Sequence, residues 1–179
     1  LKTRRTILRS WILIPTIVVN GAAAAAPEPE NPARVSVVFV KAEGFTDAGY
    51  SKTERSSPAI LLQLQRFILD TAARYLPESI SLEVKITDID LAGDFELFRG
   101  PQFDHVRMTK SIYPPRIALE FRVVDAGDRI IKEGQRQLTD LNYQLRVDYP
   151  REDPLRYEKE ISRDWLRGEL GVLHAGKAG

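Results

Sequence analysis

Asp88 and Asp90 are the side chains whose type and spacing could do chemistry in this chain. Two carboxylates held close can share a proton, so that one serves as acid and the other as base. They can also begin a cation site, and the run DIDLAGD with Gly93 and Asp94 has the outline of a calcium loop. That match fails, because Ala92 stands where the third oxygen ligand belongs and Arg99 where the closing Glu belongs, so no metal is expected. An Asp that closes a turn beside a glycine is the commoner arrangement, and a structural role is the expectation for this pair.

Placement decides between these roles. Residues two apart on a strand point to one face, which puts both carboxylates in line with Leu82, Val84 and Ile86. Either the pair projects past the helix covering the sheet and forms an anionic patch, or a bulge flips the register and exposes both.

Four more residues complete the candidate ligand-binding set: His105, Arg116, Asp140 and Asn142. Arg116 follows two prolines that hold its backbone extended, so its guanidinium is set to meet a carboxylate or phosphate. Its partner is Asp88, Asp90 or Asp140 within the domain, or else an anionic ligand. His105 stands alone in FDHVRMTK, with no G-x-S-x-G or S-x-x-K motif to supply a serine, and reads as a surface histidine. Asp140 and Asn142, with Tyr143, sit where the last strand leaves the sheet, a position at which Asp and Asn close turns on backbone groups. In the run LRYEK, Arg156 and Glu158 to Glu160 are expected on exposed turns, with Tyr157 and Trp165 in the core. No catalytic residue is assigned, no glycine-rich phosphate cradle is present, and no cofactor is implied.

The elements that position these groups follow from hydrophobic period. A β-branched run at 35–40 suits a buried strand. Ser57 and Pro58 open a helix in which Leu61, Leu64, Ile68, Ala72 and Tyr75 recur at helical spacing until Pro77. Leu82, Val84 and Ile86 alternate with polar residues, as do Ile117, Leu119, Phe121 and Val123, so both stretches read as strands with one buried face. Residues 126–128 turn the chain into a polar return strand over 129–139, suited to an edge. Asp153 and Pro154 cap a last helix whose stripe is Tyr157, Ile161 and Trp165, weakened at Gly168 and Gly171. The long segment 91–115 is expected to be functional, mobile, or to hold a missed strand near 103–109. An α+β fold results: a mostly antiparallel sheet of about four strands covered by two helices, in the order strand, helix, strand, strand, strand, helix.

Outside that domain the chain carries an address. Lys2, Arg4, Arg5 and Arg9 precede an apolar run at 11–19 and small residues at 21–26, the layout of a cleavable export signal over 1–26. The run is shorter than the roughly 20 residues of a membrane span, so cleavage rather than anchoring is expected. A Pro-rich spacer follows at 27–33, the single domain occupies 34–173, and 174–179 is expected to be a flexible tail. The whole chain has 26 Lys and Arg against 25 Asp and Glu; removal of the leader's four bases leaves 22 against 25, a net charge of −3. A mildly acidic mature chain without a basic stripe gives nucleic acid no footprint. With no cysteine there is no disulfide, thiol nucleophile or thiolate metal site, and about 150 residues can bury a core without them.

Taken together, FTDAG at 45–49, DIDLAG at 88–93, PPRI at 114–117, LTDLNY at 138–143 and DPLRYEK at 153–159 resemble the bacterial domain-of-unknown-function family 3016 over nearly all of the mature chain. The resemblance implies a small exported bacterial protein and supplies no catalytic residues. Two functional classes follow from the residues. The preferred one is a non-catalytic envelope module, periplasmic or otherwise extracytoplasmic, that binds another envelope protein or a cell-wall component. The alternative is a hydrolase-like enzyme using Asp88 and Asp90 with His105 or Arg116.

Overall fold

Strand β1 (Val35–Phe39) takes the β-branched run, with Val35 and Val37 turned inward and Ser36 and Val38 outward. The computed structural model describes residues 34–96, 100, 106–145 and 149–175. The expected export signal, the spacer and His105 lie outside the described residues.

Helix α1 (Pro58–Tyr75) starts at Pro58, whose fixed φ suits the first turn, and ends before Pro77. The carbonyls just past its end are satisfied by a side chain: Arg34 donates to Leu76 O at 3.2 Å and to Pro77 O at 3.1 Å. Ile60, Leu64, Ile68 and Ala72 are buried on one side, while Leu61 and Tyr75 pack at its margin. Each fully buried Leu or Ile of this stripe contributes about 1.5–3 kcal/mol.

Because α1 carries the chain back across the sheet, β2 (Ile80–Asp90) lies parallel to β1. The remaining pairs are antiparallel: β2 with β5 (Arg116–Asp125), and β5 with β6 (Ile130–Thr139). The sheet order is β1-β2-β5-β6, so the fold is α+β as expected, with one parallel pair in an otherwise antiparallel sheet. At the β5–β6 turn, Asp125 accepts the Gly127 and Arg129 amides at 2.9 and 3.1 Å. Between β2 and β5 the chain adds a short hairpin, β3 (Asp94–Phe95) with β4 (Arg107–Met108). It falls within the long segment left open by the sequence.

Both helices share one core with the inward residues of the sheet, including Leu82, Val84, Ile86, Leu119, Phe121 and Val123. The opposite face carries two cross-strand rows fixed by register: Ser36, Glu83, Arg122 and Glu133, then Val38, Lys85, Glu120 and Gln135. Arg122 approaches Glu133 at 3.4 Å and Gln135 donates to Glu120 at 3.0 Å, so acids meet a base or an amide donor across this face.

Helix α2 (Arg156–Ala175) runs uninterrupted through Gly168 and Gly171. Packing against α1 and the sheet outweighs a glycine cost of about 1 kcal/mol each. Trp165 lies in the core, edge-on to Phe121 with ring centroids 5.7 Å apart. The first turns of α2 depart from expectation: Glu158, Lys159 and Glu160 are buried rather than exposed. Helical spacing explains Glu158, which is three residues before Ile161 and seven before Trp165, on the same inward stripe. Among the described residues no helix is long and apolar enough to cross a membrane.

Candidate functional site

A β-bulge settles where the acidic pair points. Ile86 faces Leu119 and Asp88 faces Ala118, so Thr87 has no opposite residue in β5. The extra residue reverses the alternation: Ile89 takes the core position, while Asp88 and Asp90 turn to the other face. Of the two outcomes open to the sequence, the flipped register is the one formed.

Residues 45–57 then run along the end of β2. Asp47 N donates to Ile89 O and Leu91 N to Asp47 O, both at 2.9 Å, extending the sheet by one bridge. Thr46 gives its amide and its hydroxyl to the two oxygens of Asp88, at 2.7 and 2.8 Å. Asp90 is directly opposite Arg116 in the β2–β5 register and pairs with it at 3.2 Å. Of the partners open to Arg116, Asp90 within the domain is the one it meets.

Around these residues opens a cleft of about 310 Å³, lined on its polar side by Lys52, Arg55, Asp90, Asp94, Tyr113 and Arg116. Lys52 reaches Asp94 at 2.7 Å, and Arg55 donates to Thr46 O at 3.0 Å. Burial pushes the Asp90 carboxyl above its usual range; Arg116 opposes the shift, while Asp47 and Asp88 add to it. Burial acts on Asp94 as well, but hydrogen bonds from Lys52 and the Phe95 amide outweigh it and hold that carboxyl below its usual range.

The frame of the cleft is Arg107, which the sequence did not single out. Its guanidinium grips both oxygens of Asp47 at 2.8 and 2.9 Å, donates to Gly49 O at 3.0 Å and Gly93 O at 3.1 Å, and lies 4.4 Å over the Phe95 ring. One side chain thus ties the 45–50 segment, the turn after β2 and the β3–β4 hairpin together. Gly49 is required there, since a Cβ would come within 1.9 Å of Glu54 O.

Beneath the hairpin lies a second polar group of residues. Glu96 is buried, paired with Lys110, and accepts the Tyr113 hydroxyl at 3.3 Å. Tyr143 donates to Lys110 O at 2.6 Å, and burial pushes its hydroxyl up to about 12. Glu158, 1% exposed, accepts the Ala92 amide at 2.7 Å through Oε1, while Oε2 has no hydrogen-bond partner among the described residues. Burial pushes its carboxyl up to about 7, against the hydrogen bonds of the Ala92 and Glu158 amides and the charges of Arg107 and Arg156.

The structure thus brings Asp88, Asp90 and Arg116 to one corner. Asp140 and Asn142 do not line the cleft: Asp140 Oδ1 accepts the Asn142 amide at 2.8 Å and Asn142 O accepts the Leu145 amide at 2.9 Å, which closes the turn after β6. What the corner can do is exchange hydrogen bonds and ion pairs, because Asp88, Asp90 and Asp94 each already accept from a protein donor. Among the described residues no three His, Asp or Glu side chains converge on a common metal position.

The chain belongs to the family described as Protein of unknown function (DUF3016), whose model matches residues 33–168, from just before β1 through the first two-thirds of α2. That span contains the whole corner. No curated protein matches the chain.

Proposed function

We propose that this protein is a non-catalytic module of the bacterial envelope, exported through its leader, that binds an envelope protein or a cell-wall component at the cleft where β2 ends. The observation that supports this reading most is the pairing of the cleft carboxylates with protein donors, which leaves binding as the chemistry available there. Half-exposed pairs such as Arg116 with Asp90 are worth only about 0–1 kcal/mol, so a ligand group can replace either partner at small cost. The Arg107–Asp47 pair is mostly buried and two-pronged, and serves as the fixed frame. With cations and acids alternating around it, the cleft suits a polar ligand that bears both signs of charge.

Cell fractionation combined with co-sedimentation on purified peptidoglycan sacculi, and cross-linking from position Ile112 at the cleft rim, tests the reading. An extracytoplasmic chain starting close to Pro27 is expected, retained by wall material or cross-linked to one envelope protein. A Lys52→Ala, Arg116→Ala double variant should lose that interaction, while Glu120→Ala on the open sheet face should keep it. Retention of the uncut chain in the cytoplasm, or turnover of ester, phosphate or glycoside substrates that depends on Asp90, would overturn it.

A further inference from the structure

We infer that Glu158 is a proton-operated latch: its neutral carboxyl holds the 91–93 turn and the β3–β4 hairpin against α2, and its ionised form releases them. The bond from Ala92 N to Glu158 Oε1 spans 66 residues of sequence and joins the end of β2 to the first turn of α2. Arg107 holds the same turn from the hairpin side, through Gly93 O. The turn is thus pinned at two adjacent residues from two directions. The hairpin it leads into has only two residues per strand, too few to be stable without such ties.

Among the described residues, the charged or titratable groups that face Glu158 from the elements packed around it are Arg107 from β4, Arg156 from α2 and Tyr143 from the turn after β6. Neither arginine bonds to it. Arg107 is committed to Asp47, Gly49 and Gly93, and Arg156 to Arg151 O, Asp153 O and the Tyr157 hydroxyl. An ionised carboxylate at this position would be buried with hydrogen bonds only from the Ala92 amide and its own amide and with no ion pair among the described residues, a costly state that outward movement of the turn relieves. The neutral acid keeps the Ala92 bond without that cost. Leu91 and Gly93, on either side of Ala92, both line the cleft, so release would alter its wall whatever the cleft binds.

Amide hydrogen exchange on the full chain tests the latch without any ligand. After correction for the intrinsic base-catalysed rate, the opening constant for the amides of Leu91, Ala92 and Gly93 should rise about tenfold between pH 6 and pH 8, as expected for a carboxyl that titrates near 7 when closed and near 4.5 when open. Glu158→Gln keeps an oxygen for the Ala92 amide and cannot ionise, so its protection should be flat over that range. Equal protection in the parent at both pH values, or the same tenfold step in Glu158→Gln, overturns the proposal. Should that variant fail to fold, a carboxyl ¹³C titration of the parent decides. A Glu158 midpoint near 7 with the Ala92 amide shift following it supports the latch; a midpoint near 4.5, or an Ala92 amide that does not follow, ends it.

Discussion

Arg107 meets Asp47 with two parallel hydrogen bonds, at 2.8 and 2.9 Å, across 60 residues of sequence. Only a guanidinium offers that fork, so Arg107→Lys should behave as a loss rather than a conservative change. Truncation leaves a mostly buried carboxylate without its cation, which in a fully buried pair costs about 3–5 kcal/mol; with about a fifth of the arginine side chain exposed, about 2–3 kcal/mol is expected. Urea unfolding of Arg107→Ala and Arg107→Lys measures this, and a lysine variant as stable as the parent would show that the fork is dispensable.

Glu158 sets a pH dependence whose sign is opposite to that of an ordinary ion-paired carboxylate. Its folded value, about 7, lies above the usual 4.5, so the folded state binds the proton more tightly than the unfolded chain. The stability it contributes is fully present below about pH 4.5 and is lost as pH rises through about 7, a change on the order of 3 kcal/mol. Glu158→Gln should therefore be more stable than the parent at pH 8 and close to it at pH 5. Parallel stability curves for the two proteins from pH 5 to 8 would contradict this.

Neutralising the acidic pair should cost little. Asp88→Asn retains one acceptor for the Thr46 donors, and Asp90 is already pushed by burial toward its neutral form. A loss of about 1 kcal/mol or less is expected for each, with no change in melting temperature on adding calcium. A rise in stability on removing either charge, or a calcium-dependent rise in the parent, would mean that the pair is held in repulsion for a ligand.

At Trp165 volume should matter more than polarity. The indole Nε1 is buried without a hydrogen-bond partner among the described residues, so replacing it loses none of the bonds described, whereas the ring fills the space against Phe121. Trp165→Ala should cost about 3–5 kcal/mol, and Trp165→Phe distinctly less. Equal losses in thermal melts of the two variants would point instead to an unseen role for the indole N–H.

The helices and long strands were legible because their hydrophobic period reports a buried face directly, whereas the choice of Asp90 among the three possible partners of Arg116 came only with the β2–β5 register. Thr87 marks the first limit. A bulge depends on the partner strand's register, so both orientations of Asp88 and Asp90 were compatible with the sequence. Arg107 and Asp47 mark the second, since each lies in an aperiodic segment and they pair only through tertiary structure. Glu158 was obscured for a different reason: its spacing to Ile161 and Trp165 placed it on the inward stripe, but its charge argued for solvent. At Asp140 local turn chemistry was legible, because its Oδ1 accepts the amide of Asn142 two residues on.

The position of α2 at the end of the element order governs when the fold can close. Chains are made and threaded from the amino terminus, and β1 waits for β2, since Val35 pairs with Leu82. Even with all the main strands in place, Phe121 and the inner side of β5 remain open until Trp165 arrives. A nascent chain therefore presents an uncapped apolar surface until α2 is made, a substrate for chaperones and a hazard in a crowded compartment. Closure of this core waits for α2, so a chain stalled or clipped before α2 should be recognised as unfinished rather than persist as a smaller domain.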